Sequence, residues 1–289
     1  MTGSDSGRLP DPGRVVANAR ESANGVNSDD ATVNLVVSGP IDAESVERGE
    51  DGYVGESAGA VGRLAAAVGV EGDVAVHYPE PNFTADGPWL VLAPLSGFVS
   101  TVATGVGRAV VALDYDANAD PTLDGLGERV SGLTDAVRPS HDDYPVESDD
   151  RGVFTTGMTT FALDSLSVDG NLTATFDVST TPATRASEVE ARFADLEGVE
   201  TVEYESVVGV ERAAPSTELR KAVEAAHRRV RGDCEYEWLP DPGVFAEIPD
   251  AEKMALGTGA PGTAEFSREQ YETCVDLLEA AVSNAGVSP

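Results

Sequence analysis

Lysine is nearly missing from this chain. Of 19 basic residues only Lys221 and Lys253 are lysines, against 51 Asp and Glu, giving a formal net charge of −32 over 289 residues. With a sequence pI near 4.1, unaided binding to nucleic acid or to an anionic membrane is excluded by repulsion. Histidine is scarce too. His77, His141 and His227 fall in separate segments without an HExxH or HxH pattern, which excludes a histidine-rich zinc centre. The two cysteines, Cys234 and Cys274, stand far apart and in no metal-ligand spacing, so two reduced thiols are expected. No run approaches the ~20 apolar residues of a membrane span, and the first six residues lack the charged and apolar regions of a signal peptide. A cytoplasmic protein is the expectation. What is plentiful is acid. An acid-rich, lysine-poor and aromatic-poor (6%) chain suits a salt-rich cytosol, where the Debye length shrinks to about 3 Å at 1 M and carboxylates stay hydrated. A halophilic protein is therefore expected.

The hydrophobic fraction of 41% is enough for real cores, and the length suits two domains. The first 30 residues, rich in Gly, Ser, Asn and Asp, read as a loose arm or an edge strand. Residues 31–38 (ATVNLVVS) read as a buried strand broken by Gly39-Pro40, and 55–68 as a closely packed helix of small residues. Segments 72–77 and 89–93 are further short apolar strands, which points to a parallel α/β layer. From about Gly97 the pattern changes. Strand 108–116, helix 121–137, strands 153–166 and 172–180, helix 184–196 and strand 198–208 follow the order β-α-β-β-α-β, a ferredoxin-like unit. Helix 216–231, short strands at 234–238 and 253–256, and helix 267–281 resume the first pattern. The expected fold is thus an α/β domain from 1–98 and 209–289, interrupted by a ferredoxin-like βαββαβ domain at 99–208.

Four strings carry a resemblance: LVVSGPIDAE (35–44), GESAGAVGRLAAAV (55–68), WLVLAPLSGFVSTVATGVGRAVV (89–111) and LGTGAPGTAEFSREQY (256–271). Together with the architecture they resemble the zinc-dependent amidohydrolase and peptidase family. Its members include acetylornithine deacetylase, succinyl-diaminopimelate desuccinylase, carboxypeptidases and carrier-protein-lysine hydrolases. The resemblance implies a two-metal α/β domain with an inserted lid that often dimerises. It covers the chain from about Asn34 and lacks the family's usual N-terminal helical segment.

Each string keeps the framework and has lost the residue that does the chemistry. Pro40 stands where the resemblance places a metal-binding histidine, and Asp42 is the orienting aspartate that survives. Gly59 falls at the bridging aspartate, and Ala93 at the glutamate ligand of a Glu-Pro-Thr/Ser-Gly motif. Glu80 is the candidate catalytic base after strand 72–77, and Glu265 lies near a late histidine ligand, the one candidate metal residue. The lid's substrate-contacting histidine, due near Ala117 or Asn118, is absent. Two divalent cations need a bridging carboxylate and further N or O donors, which Pro40, Gly59 and Ala93 do not supply. Asp42, Glu80 and Glu265 alone make at most one weak carboxylate site. The expected function is a binding or assembly subunit without catalysis and without a cofactor. Its partner would be a second copy or a related hydrolase met through the lid. A small-molecule ligand in the former cleft is a further reading. The alternative is an active zinc- or cobalt-dependent hydrolase of an N-acyl amino acid or small peptide, with Asp42 orienting and Glu80 as base.

Overall fold

The computed structural model describes residues 9–25, 31–78, 83, 87–115, 124–137, 160–169, 171–181, 184–209, 211–213, 217–239, 242–248 and 252–286. They divide into two units. One comprises residues 1–102, 212–239 and 243–289, the other 103–211 with 240–242.

The first unit is built on a five-stranded sheet in the order β4-β1-β5-β13-β6. Strands β1 (Val33–Val37), β4 (Val74–His77), β5 (Trp89–Leu92) and β13 (Lys253–Leu256) run parallel, while β6 (Val99–Ser100) pairs antiparallel with β13. Every residue of β1, β5 and β13 is buried. A parallel sheet covered on both faces requires such unbroken apolar runs, which is why these strands do not alternate. The register sets Leu35 beside Leu90, and Leu90 beside Met254. Asn34, the polar residue inside β1, is satisfied by the His77 ring at 2.8 Å. His77 also packs on Trp89, with ring centroids 4.5 Å apart.

Helices α1 (Pro12–Gly25), α2 (Ala58–Gly69), α5 (Glu218–Arg231), α6 (Gly243–Glu247) and α7 (Arg268–Ala285) complete this unit. Residues 12–25 form a helix, not the arm or edge strand expected of the first 30 residues from their composition; residues 1–8 and 26–30 lie outside the described residues. Asp11 accepts the Arg14 N–H at 3.1 Å and Pro12 opens the helix, a capping arrangement that the surrounding Gly and Asn obscure. Val15, Val16 and Ala19 of α1 are buried in the core of this unit. Residues 234–238 are likewise not a strand: Tyr236 makes one isolated bridge to Val99. A second sheet, of strands β2 (Glu47–Arg48), β3 (Gly52–Val54) and β14 (Glu265–Ser267), brings Phe266 against Tyr53. A Cβ on Gly62 of α2 would run into the Phe266 ring, so the small residues of α2 serve close packing.

The second unit has the expected ferredoxin-like form. Strands β8 (Gly105–Leu113), β9 (Thr160–Asp169), β10 (Asn171–Thr180) and β11 (Val199–Val208) form an antiparallel sheet in the order β11-β8-β10-β9. Helices α3 (Asp124–Val137) and α4 (Ala186–Ala194) supply Leu133, Val189 and Phe193 to a core with Val111, Leu113, Leu172 and Phe176. Short strands β7 (Val102–Ala103) and β12 (Glu211–Arg212), where the chain passes between units, pair with each other. Among the described residues no helix is long and apolar enough to cross a membrane.

Candidate functional site

Parallel strands deliver their carboxyl ends to one edge of a sheet, where open α/β folds carry their sites. In the first unit that edge gathers Ser38 and Gly39 after β1, Ala93 after β5, and Gly257 and Thr258 after β13. The turn Ala93-Pro94-Leu95-Ser96-Gly97 docks there by backbone. Ser96 and Gly97 donate their N–H groups to Gly259 and Gly257 carbonyls, each at 2.9 Å. Ser96 holds φ 53°, the positive value that among the described residues is otherwise left to glycine. At the start of this turn Ala93 is fully buried and offers only a methyl group.

The expected site residues fare differently. Pro40 and Asp42 are exposed. Asp42 accepts the Glu44 N–H at 2.9 Å, and its carbonyl accepts the Ser45 hydroxyl at 2.9 Å, so it shapes its own turn. Glu265 is exposed on β14 and lines a groove of about 760 Å³ together with Glu50, Asp51, Tyr53 and Gln270. Glu80, Ala117, Asn118 and His141 lie outside the described residues. Among the described residues, no three His, Cys, Asp or Glu come together in a group able to hold a metal.

What occupies the sheet edge is a residue that the sequence reading passed over. Arg63, four residues beyond Gly59 on α2, is 4% exposed. Its Nη2 donates to the Ser38 carbonyl at 3.3 Å, and its Nη1 to the Thr258 carbonyl at 3.5 Å. A Cβ placed on Gly59 would stand 3.2 Å from Nη1. The guanidinium therefore lies among the ends of β1, β13 and α2, beside Gly59. Burial draws its pKa down to about 10, which leaves it cationic at neutral pH. Cys274 is the titratable neighbour, and burial raises its thiol to about 11, so it stays neutral and gives no counter-charge. A sequence signal existed: one arginine in an otherwise small and apolar helix, with glycine four residues before it.

A divalent metal pair does not fit these residues. Among the described residues no three His, Cys, Asp or Glu come together, and Pro40, Gly59 and Ala93, where the resemblance leads one to expect donors, have no metal-binding side chain.

Two histidines are accounted for by packing. His77 is held by Asn34, and burial lowers its pKa. His227, on α5, is 1% exposed, and its pKa falls to about 4, chiefly through burial and then through Arg231.

Known structures share this architecture. An M20-family metallo-carboxypeptidase, Sso-CP2 from Sulfolobus solfataricus, superposes with a TM-score of 0.54 at 14% identity, over 90% of this chain and 86% of that one. The di-peptidase Dug1p from Saccharomyces cerevisiae gives 0.55 at 12%, over 92% and 82%. The Bacillus subtilis protein YXEP, a dinuclear metal-binding peptidase of the M20 family, gives 0.53 at 13%, over 93% and 91%. No family model and no curated protein matches the chain. The chain has the fold of the M20 metallopeptidases, an α/β domain with an inserted lid domain.

Proposed function

We propose that this chain keeps a metallopeptidase scaffold as a binding or assembly subunit and does not hydrolyse amide bonds. The observation that carries this reading is the buried Arg63 guanidinium, bonded to Ser38 and Thr258 beside Gly59, where the resemblance calls for metal ligands. A like charge in a desolvated space opposes divalent cations, and no general base among the described residues stands beside it.

The partner surface of this reading is the outermost strand β9. Phe161, Leu163, Leu166 and Val168 pair in register with the buried Val178, Phe176, Ala174 and Leu172, so they extend the apolar face of the sheet. Yet Leu163, Leu166 and Val168 are 52%, 39% and 43% exposed. An edge strand with an uncovered apolar row is a template for pairing, here with a second copy or a related hydrolase.

Two measurements test the reading. Protein purified in concentrated KCl is expected to hold no stoichiometric zinc or cobalt by elemental analysis, and to leave N-acyl amino acids and dipeptides intact with either metal added. Near-stoichiometric metal together with turnover, both lost on Asp42→Ala or Glu80→Ala, would establish the active hydrolase instead. Light scattering is expected to show a dimer that Leu163→Lys with Leu166→Lys converts to monomer. A wild-type monomer leaves assembly with a related chain as the surviving form.

A further inference from the structure

The groove beside β3 and β14 has a volume of about 760 Å³. Small-molecule sites span roughly 300–1,000 Å³, so the size suits an organic ligand. Residues 49–54, 260, 263–267 and 270 line it, all within the first unit. Its shape is set locally. Gly49 donates its N–H to the Gly52 carbonyl at 2.8 Å, closing the turn from β2 to β3 with Glu50 and Asp51 at the tip. A Cβ on Gly52 would strike the Phe266 carbonyl, so the wall there is bare backbone.

The lining combines two chemistries. In register across the small sheet, Glu265 of β14 and Glu47 of β2 flank Val54 of β3, and cross-strand partners share a face. Val54 is 49% exposed, and among the described residues it is the one large hydrophobic side chain of the first unit to stand so far out. No basic residue lines the groove, and Glu50, Asp51 and Glu265 form no ion pair among the described residues. Arg268, next to the lining, bonds Glu272 at 2.8 Å. The acids do not converge as metal ligands do, since no three of the described acids, histidines or cysteines gather in one group able to hold a metal. A metal ion would also leave Val54 in water. Ionised carboxylates accept and cannot donate, so an anion is repelled.

We propose that this groove binds an organic cation, a primary ammonium or guanidinium group carried on an apolar body. The cationic head donates charge-assisted hydrogen bonds to the carboxylates, and the apolar body removes Val54 from water. The site does not rest on the assembly reading, because the groove belongs to the first unit and β9 to the second.

The test uses the full chain in ~1 M KCl, which screens its self-repulsion. The probe is 2-phenylethylamine, and 2-phenylethanol is its uncharged match in shape. The amine is expected to shift the amide resonances of Gly49, Gly52 and Thr263, and to bind about tenfold tighter than the alcohol. Asp51→Asn with Glu265→Gln should bring the two ligands to within about twofold of each other, while Val54→Ser weakens both. All three positions are exposed, so the variants keep the fold. Equal binding of amine and alcohol by the wild type, or shifts only outside the groove, would overturn the proposal. So would shifts that KCl alone produces and the amine does not extend, since the acids would then hold only hydrated potassium. A monomeric wild type, or one that carries metal, bears on the assembly reading and leaves these outcomes unchanged.

Discussion

At the scale of single residues, glycine and histidine report most clearly what the interior enforces. A methyl group on Gly62 meets the Phe266 ring, whereas one on Gly127, in α3, meets nothing within 4 Å. Gly62→Ala is therefore expected to destabilise by about 1–3 kcal/mol through overpacking. Gly127→Ala should stabilise by about 0.5–1 kcal/mol, because alanine loses less backbone freedom on folding. Chemical denaturation of the two variants in concentrated KCl checks both signs. His227 makes a pH-dependent contribution whose sign follows from its lowered pKa. The unfolded imidazole takes its proton near 6.5 and the folded one only near 4, so the unfolded state binds more protons between those values. The stability tied to neutral His227 is complete above about pH 6.5 and is lost as pH falls toward 4. Asp233 opposes the shift, and His77, its pKa also lowered by burial, adds a loss of the same sign. Melting curves from pH 7 to 4 are expected to fall less steeply for His227→Gln than for the wild type. Equal slopes would mean that the imidazole takes no part.

At the scale of elements, caps and stripes were readable and short strands were not. Helix α7 starts at Ser267, whose hydroxyl accepts the Gln270 N–H at 3.1 Å while the Gln270 side chain bonds back at 2.7 Å. This reciprocal box is a local pattern, and the serine announced it. The Asp11-Pro12 start of α1 is the same kind of signal, and it was hidden by polar neighbours. Asp11→Ala is expected to cost about 1 kcal/mol, read as faster amide exchange confined to α1. Strands β2, β3 and β14 have two or three residues each, too few to show a period of two, and they exist because Gly52, Tyr53 and Val54 find partners elsewhere in the chain.

At the scale of the whole molecule, the net charge of −32 acts on both units alike. Self-repulsion is strong when the Debye length is near 10 Å and nearly screened when it is near 3 Å. The melting temperature is expected to rise steeply between ~0.1 M and ~3 M KCl, and a flat response would remove the argument for a salt-adapted protein. The same charge sharpens the case of Arg63. Exposed carboxylates cost this chain little in salt, but a buried cation draws no help from a screened surface.

The sequence by itself determined the apolar runs of β1, β5 and β13, the stripe of α5, the βαββαβ order and the side chains without donors at Pro40, Gly59 and Ala93. Each depends on chemistry within a few residues, and local chemistry is written locally. Only the tertiary structure decided where the Arg63 guanidinium stands. Arg63 reaches carbonyls 25 and 195 residues away along the chain, at Ser38 and Thr258, and no local pattern encodes contacts of that span. Asp42, Glu80 and Glu265 read alike in the sequence because acids are everywhere in it. Folding separates two of them, giving Asp42 to its own turn and Glu265 to a groove on another sheet. Whether a charged group becomes a site depends on burial and on its neighbours, and long-range packing sets both.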